Sequence, residues 1–208
     1  MSIPPAKQVP TLNIANVLTV VRILLVPFFI WFLLLDDSAA DDSGGLFRWL
    51  AVAVFAVAIY TDKLDGDLAR SRGLITDFGK IADPIADKLL IGAALILLSV
   101  MGELWWWVTI VILVRELGIT VLRFAVIRYG VMPASRGGKL KTVIQTFAIF
   151  LYLLPLAGVL GDWYSWVAIT VMLAAVAVTV VTGIDYIIQA IRLRRDALST
   201  GHPGSPTS

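Results

Sequence analysis

Residues 61–90 read TDKLDGDLARSRGLITDFGKIADPIADKLL, a charged passage set between long apolar runs. Its acids are spaced to share helical faces, Asp62 and Asp65 three apart, Asp83 and Asp87 four apart. Gly66 and Ala69 accompany the first pair, and Gly79 precedes Asp83 by one turn. Small residues beside acids let two helices approach closely and leave backbone open to a ligand. The intervening Ser71–Phe78 is a short turn that folds its flanking helices into a hairpin, with the four carboxylates facing one another. Asp67 and Asp77 fall on other faces, where a solvated or capping role suits them.

On both sides of this passage the chain is apolar. Of its 208 residues 59% are hydrophobic, against about 45–50% in a soluble domain, and the mean hydropathy is +0.88. The excess is gathered into runs of roughly 20 residues, enough to cross a hydrocarbon core of about 30 Å. This predicts an all-α integral membrane protein and excludes a soluble globular enzyme or a disordered chain. Six spans are expected: Ile14–Leu35, Leu46–Thr61, Ile81–Met101, Trp105–Tyr129, Thr142–Leu160 and Tyr164–Ile191. The second continues as helix through Asp62–Arg70. The first is too long and too poor in small cleavage-site residues for a signal peptide, so it is expected to be retained. Residues 1–12 and 196–208 are expected to be disordered tails around one six-helix catalytic domain, 13–195.

Basic residues give the orientation. With the N-terminus cytoplasmic, the inner side holds Lys7, Lys63, Arg70, Arg72, Lys80, Arg128, Arg136, Lys139, Lys141, Arg192, Arg194 and Arg195. The outer connections hold Asp36, Asp37, Asp41, Asp42, Glu103 and Asp162, with Arg48 the only nearby base. Both termini then face the cytoplasm. Trp105, Trp106 and Trp107, and with them Trp163, Tyr164 and Trp166, become anchors at the outer interface. A net charge of +2 gives no reason to expect nucleic acid.

Aspartates inside such a chain need neutralising. Each costs about 2.5–3.5 kcal/mol at mid-bilayer, so four sum to roughly 10 kcal/mol, an upper figure because the cytoplasmic rim is wetter. Two divalent cations cancel four negative charges. All-oxygen ligands favour Mg²⁺, Mn²⁺ or Ca²⁺. The absence of cysteine, and a single histidine, His202, in a Gly/Pro/Ser tail, argue against zinc. The competing reading is a hairpin tied by salt bridges to Lys63, Arg70, Lys80 and Lys88. A surface charge run, however, would not keep its acids on single faces beside glycine.

The pattern Asp62-x₂-Asp65-Gly66-x₂-Ala69-Arg70-x₈-Gly79-x₃-Asp83-x₃-Asp87 resembles the complete signature of the CDP-alcohol phosphotransferases. Asn16-x₂-Thr19-x₂-Arg22 followed by Pro27 is similar to that family's first helix, although Ala15 stands where many members have proline. The likeness covers roughly 13–186. It implies a six-transmembrane-helix bundle, a homodimer, and an active site open to the cytoplasm. It also implies transfer of a phosphatidyl-type group from a CDP-linked lipid to an alcohol, with release of CMP. Two cations, Mg²⁺ or Mn²⁺, would be held by Asp62, Asp65, Asp83 and Asp87, with Asp87 also the general base. Asp65, Gly66, Ala69, Arg70 and Gly79 would lie against the CDP portion. The chemistry agrees independently. Displacement at a pyrophosphate phosphorus needs charge offset on the attacking and leaving oxygens, and an alcohol needs a base within hydrogen-bond reach.

Residues 114–142 bear on the acceptor: VRELGITVLRFAVIRYGVMPASRGGKLKT. Arg115-Glu116, the later Leu122-Arg123, and Gly138-Lys139-x-Lys141-Thr142 resemble the phosphatidylglycerophosphate synthases within the family. The substrates would be CDP-diacylglycerol and glycerol 3-phosphate. A phosphate-bearing acceptor needs fixed cations, arginine giving a bidentate fork and lysine a point charge. The acceptor-phosphate candidates are Arg115, Arg123, Lys139 and Lys141, with Glu116 pairing with one of the arginines. Arg128 and Arg136 are better read as obeying the positive-inside rule or attracting anionic lipid. Arg22 is divided between substrate phosphate and snorkelling toward the interface.

The rival within the family is a phosphatidylinositol phosphate synthase, whose acceptor also carries phosphate. A rival of another class is a small cation transporter. Transporters place their sites near the midplane on interrupted helices of related halves, whereas these acids occupy one end of one hairpin without a repeat. The expected location is the cell membrane, multi-pass.

Overall fold

A computed structural model of the chain describes residues 14–36, 45–72, 77–126 and 136–199. Within its helices the side chains of 15, 65–72, 77–84, 136, 139 and 196–199 lie outside that description. Seven helices and no strand occur among the described residues: α1 (Ile14–Leu34), α2 (Leu46–Arg72), α3 (Asp77–Val100), α4 (Trp106–Val126), α5 (Arg136–Leu153), α6 (Ala157–Leu160) and α7 (Asp162–Ser199). The chain divides into two compact units, Met1–Leu97 with Leu153–Val159, and Leu98–Tyr152 with Leu160–Ser208.

In the first unit α1 and α2 form an antiparallel hairpin in fixed register. Phe29 and Phe55 meet at its middle, ring centroids 5.7 Å apart, and both are fully buried. Two helical turns toward one end, Arg22 Nη1 lies 2.6 Å from Asp62 Oδ1. Two turns toward the other, Arg48 Nη1 lies 3.3 Å from Asp36 Oδ2. One buried stripe of α1 makes all of this, polar at Asn16, Thr19 and Arg22, then apolar at Val26, Phe29 and Leu33. The matching stripe of α2 runs through Ala51, Phe55 and Ala58 to Asp62. Pro27 sits inside α1, a position that a membrane helix tolerates.

The fifth predicted span extends too far. α5 begins earlier, at Arg136, and stops at Leu153, with α6 a separate turn. Pro155 is the cause, because it disfavours helical backbone at Leu154 and has no N–H to continue the ladder. The last carbonyls of α5 find other donors: Arg48 Nε donates to the Leu153 carbonyl at 2.8 Å, and the Tyr164 hydroxyl to the Leu151 carbonyl at 2.7 Å. That second bond explains why Tyr164, expected as an outer anchor, is buried, while Trp163 and Trp166 are 59% and 68% exposed. Trp105, Trp106 and Trp107 are half-exposed, as an interfacial belt requires.

In the second unit α4 packs on α7. Gly102 and Gly161 take positive φ (79° and 80°) at the turns into α4 and toward α7, where other residues would be strained. α7 continues to Ser199, past the boundary drawn after residue 195.

The exposed surface of these helices is apolar. On α4, Ile110, Val114, Leu117, Val121 and Phe124 form a stripe at alternating four- and three-residue spacing, each more than half exposed. Soluble proteins do not present contiguous faces of this kind to water. Two helical stretches among the described residues, Asn16–Leu34 and Asp162–Arg195, are long and apolar enough to cross a bilayer. Arg115 and Glu116 interrupt α4, and Arg48, Asp62 and Lys63 bracket the apolar run of α2.

Candidate active site

The predicted carboxylate passage forms the end of α2 and the beginning of α3. α2 is unbroken through Asp62 and Asp65, and α3 through Asp83 and Asp87, so each spacing does lie on a helix. The link is shorter than expected, since α2 reaches Arg72 and α3 starts at Asp77. Of the four acids, Asp62 and Asp87 have described side chains; those of Asp65 and Asp83 lie outside the description, as do those of Ala69 and Arg70 and the surroundings of Gly66 and Gly79. Among the described residues no three metal-ligating side chains gather at one point.

Asp62 combines an ion pair with openness. Its carboxylate meets Arg22, which is 1% exposed, yet 46% of its own side chain remains accessible. Arg22 comes from the polar half of the α1 stripe, below Asn16 (5% exposed) and Thr19 (1%). Arginine on this aspartate went unpredicted, because the partner lies far away in sequence and periodicity carries no information about it. The donor chemistry fits a hard divalent cation: carboxylate oxygens at helical i, i+3 and i, i+4 positions, one with an accessible face.

The acceptor candidates belong to the second unit. Arg115 Nη1 donates to Glu116 Oε1 at 3.1 Å, and Lys141 Nζ donates to the same oxygen. Lys141 is 4% exposed. Arg115 Nη2 donates to Thr182 Oγ1 at 3.0 Å, and that hydroxyl donates onward to the Val178 carbonyl at 2.7 Å. Arg123 Nη2 donates to the Tyr186 hydroxyl at 2.8 Å. Helical spacing put Arg115 and Arg123 on nearly one face, and both guanidiniums do flank one ring, that of Tyr186, at 5.8 and 5.0 Å from its centroid. Thr182, Gly183 and Tyr186, which complete this arrangement from α7, were missed. Their only signal was a Thr-Gly-x₂-Tyr interruption in an otherwise aliphatic helix. Lys139 has its side chain outside the description, as has Arg136, and Arg128 lies wholly outside it.

Comparison with known proteins agrees with this picture. The family model described as CDP-alcohol phosphatidyltransferase matches residues 12–181. A protein of Mycobacterium tuberculosis (strain CDC 1551 / Oshkosh) named "Probable phosphatidylglycerophosphate synthase" is 53% identical over 180 residues, 86% of this chain and 82% of its own. A Bacillus subtilis (strain 168) protein named CDP-diacylglycerol–glycerol-3-phosphate 3-phosphatidyltransferase is 37% identical over 186 residues, 84% of this chain and 93% of its own. A Rickettsia typhi protein of the same name is 35% identical over 183 residues, 84% of this chain and 94% of its own.

Proposed function

The chain belongs to the CDP-alcohol phosphatidyltransferase family, and from that premise we propose that it transfers the phosphatidyl group of CDP-diacylglycerol to sn-glycerol 3-phosphate, giving phosphatidylglycerophosphate and CMP. One observation carries the choice of acceptor. Arg115 and Lys141 share a single carboxylate, Glu116, in largely buried surroundings, with Arg123 a third cation nearby on α4. Surplus positive charge shielded from water favours an anion, and a phosphate monoester provides one with oxygens for bidentate arginine contacts.

In the reaction a hydroxyl oxygen of the acceptor bonds to the phosphorus bearing the diacylglycerol. The bond from that phosphorus to the CMP oxygen breaks, and CMP leaves with the electron pair. The hydroxyl proton passes to the Asp87 carboxylate, the general base in this reading. Asp62, Asp65, Asp83 and Asp87 would hold two divalent cations, Mg²⁺ or Mn²⁺, whose charge when bound offsets that on the attacking and leaving oxygens. Arg22 orients Asp62 from α1. Asp65, Gly66, Ala69, Arg70 and Gly79 would receive the CDP portion, and Lys139 would join Arg115, Arg123 and Lys141 on the acceptor phosphate.

The same reading makes α1 to α5 and α7 six crossings of the cell membrane, in a homodimer with both termini and the site on the cytoplasmic side. The distribution of lysine and arginine supports that orientation. Purified enzyme incubated with CDP-diacylglycerol and, in turn, glycerol 3-phosphate, inositol phosphate or serine tests the acceptor. Phosphatidylglycerophosphate and stoichiometric CMP from the first alone are expected; lipid product from inositol phosphate alone would overturn the assignment.

A further inference from the structure

The fold handles its arginines in two ways. Arg22 and Arg48 are deeply buried and each meets an aspartate, which neutralises it. Arg115 and Arg123 instead flank a ring that carries no charge. Tyr186 is 2% exposed, with the Arg115 guanidinium 5.8 Å from the ring centroid and that of Arg123 at 5.0 Å. The Tyr186 hydroxyl accepts from Arg123 Nη2, and the Thr182 hydroxyl accepts from Arg115 Nη2. An aromatic quadrupole and a hydroxyl lone pair fix a guanidinium in place while leaving its positive charge intact. Arg115 Nε, also buried, has no acceptor among the described residues. Of the carboxylates on these stretches, Glu116 is shared with Lys141, and Asp185 is exposed and takes its hydrogen bond from Gln189.

Gly183 makes this arrangement possible. A Cβ at that position would stand 3.2 Å from Arg115 Cγ. The atom it would meet lies near the root of the side chain, not at its movable tip. An added methyl group would therefore push the stem of Arg115 away from α7 and draw its guanidinium off Thr182 and Tyr186.

From this contrast we infer that Tyr186, with Gly183 beneath Arg115, is the positioning residue that holds Arg115 and Arg123 oriented but un-neutralised for the phosphate of the acceptor. Selectivity for a phosphate-bearing alcohol over a free one is then set from α7 as well as from the cations themselves. The inference rests on the reading of Arg115 and Arg123 as acceptor-phosphate ligands.

The test measures kcat and the KM of each substrate for the full-length enzyme in mixed micelles, with Arg123→Ala, Tyr186→Phe, Tyr186→Leu and Gly183→Ala. Tyr186→Leu is expected to raise the KM for glycerol 3-phosphate about tenfold, the scale of one lost cation–π contact and one hydrogen bond to a charged group. The KM for CDP-diacylglycerol should stay within about twofold of the parent, since Tyr186 touches only the acceptor cations. Tyr186→Phe, which keeps the ring, should fall between. Gly183→Ala should raise the acceptor KM without lowering the melting temperature, because alanine is the better helix residue; a merely structural glycine would leave that KM unchanged. If Arg123→Ala leaves the acceptor KM at the parent value, the acceptor-site reading itself fails. If Arg123→Ala raises it while Tyr186→Leu and Gly183→Ala do not, the positioning role alone is overturned. Parallel loss of both KM values and of melting temperature in Tyr186→Leu and Gly183→Ala would also overturn it.

Discussion

Asp62 has a counter-ion and still presents nearly half of its side chain to the surroundings, whereas Asp36, paired with Arg48, has a side chain with no exposure at all. The same residue type thus serves two purposes, one pair sealed and the other open on one side. Sequence spacing identified Asp62 as functional because a second acid shares its helical face. It could not identify Arg22 as its partner, since nothing in the local pattern of α1 points across to α2. Asp87, partly buried on α3, carries the proton-transfer role in the proposed mechanism. Asp87→Asn keeps the shape and removes the basic oxygen. Turnover should fall by about 10²–10⁴-fold, with binding of CDP-diacylglycerol, followed by equilibrium titration, largely retained. Near-parent turnover would remove Asp87 from the chemistry.

The α1–α2 hairpin and the end of α5 show what elements add to residues. Arg48 joins three pieces of chain, its own helix, Asp36 beyond α1, and the carbonyl of Leu153. Removing one partner of a buried ion pair leaves the other charge stranded, at a cost of about 3–5 kcal/mol. Arg48→Leu should therefore lower the thermal midpoint in detergent markedly. Arg48→Leu combined with Asp36→Leu should recover part of the loss, because no lone charge remains; additive losses would show that the pair is not coupled. The six long helices were legible from apolar runs, and their starts and stops less so. α5 ends at the residue before Leu154-Pro155, a boundary that the proline signals plainly once local chemistry is weighed above run length. Tyr164 looked like a belt residue from its neighbours and turned out to cap α5.

For the molecule as a whole, composition was sufficient to establish a membrane protein, because an outward apolar surface leaves a global trace in the sequence. The cation cluster of α4 and α5 was also visible, as Arg115, Arg123 and Lys141, since charges interrupting apolar helices stand out. Its aromatic and hydroxyl framework on α7 was not, because threonine, glycine and tyrosine are unremarkable in a long apolar helix. If the four aspartates hold divalent cations, exhaustive chelation should abolish CMP release, and added Mg²⁺ or Mn²⁺ should restore it. Activity undiminished by chelation would rule the dinuclear reading out.

The register of the first hairpin has a consequence for how such chains can diverge. Arg22 to Asp36 and Arg48 to Asp62 span equal numbers of positions, with Phe29 and Phe55 at their midpoints. An insertion of one residue turns everything beyond it by about 100° around the helix axis. Length changes within either segment would thus swing a buried arginine toward lipid at one end or the other, whereas those between Asp36 and Arg48 would leave both ends matched. Natural variation in chain length should accumulate in that connection and be purged from the two ruled segments beside it.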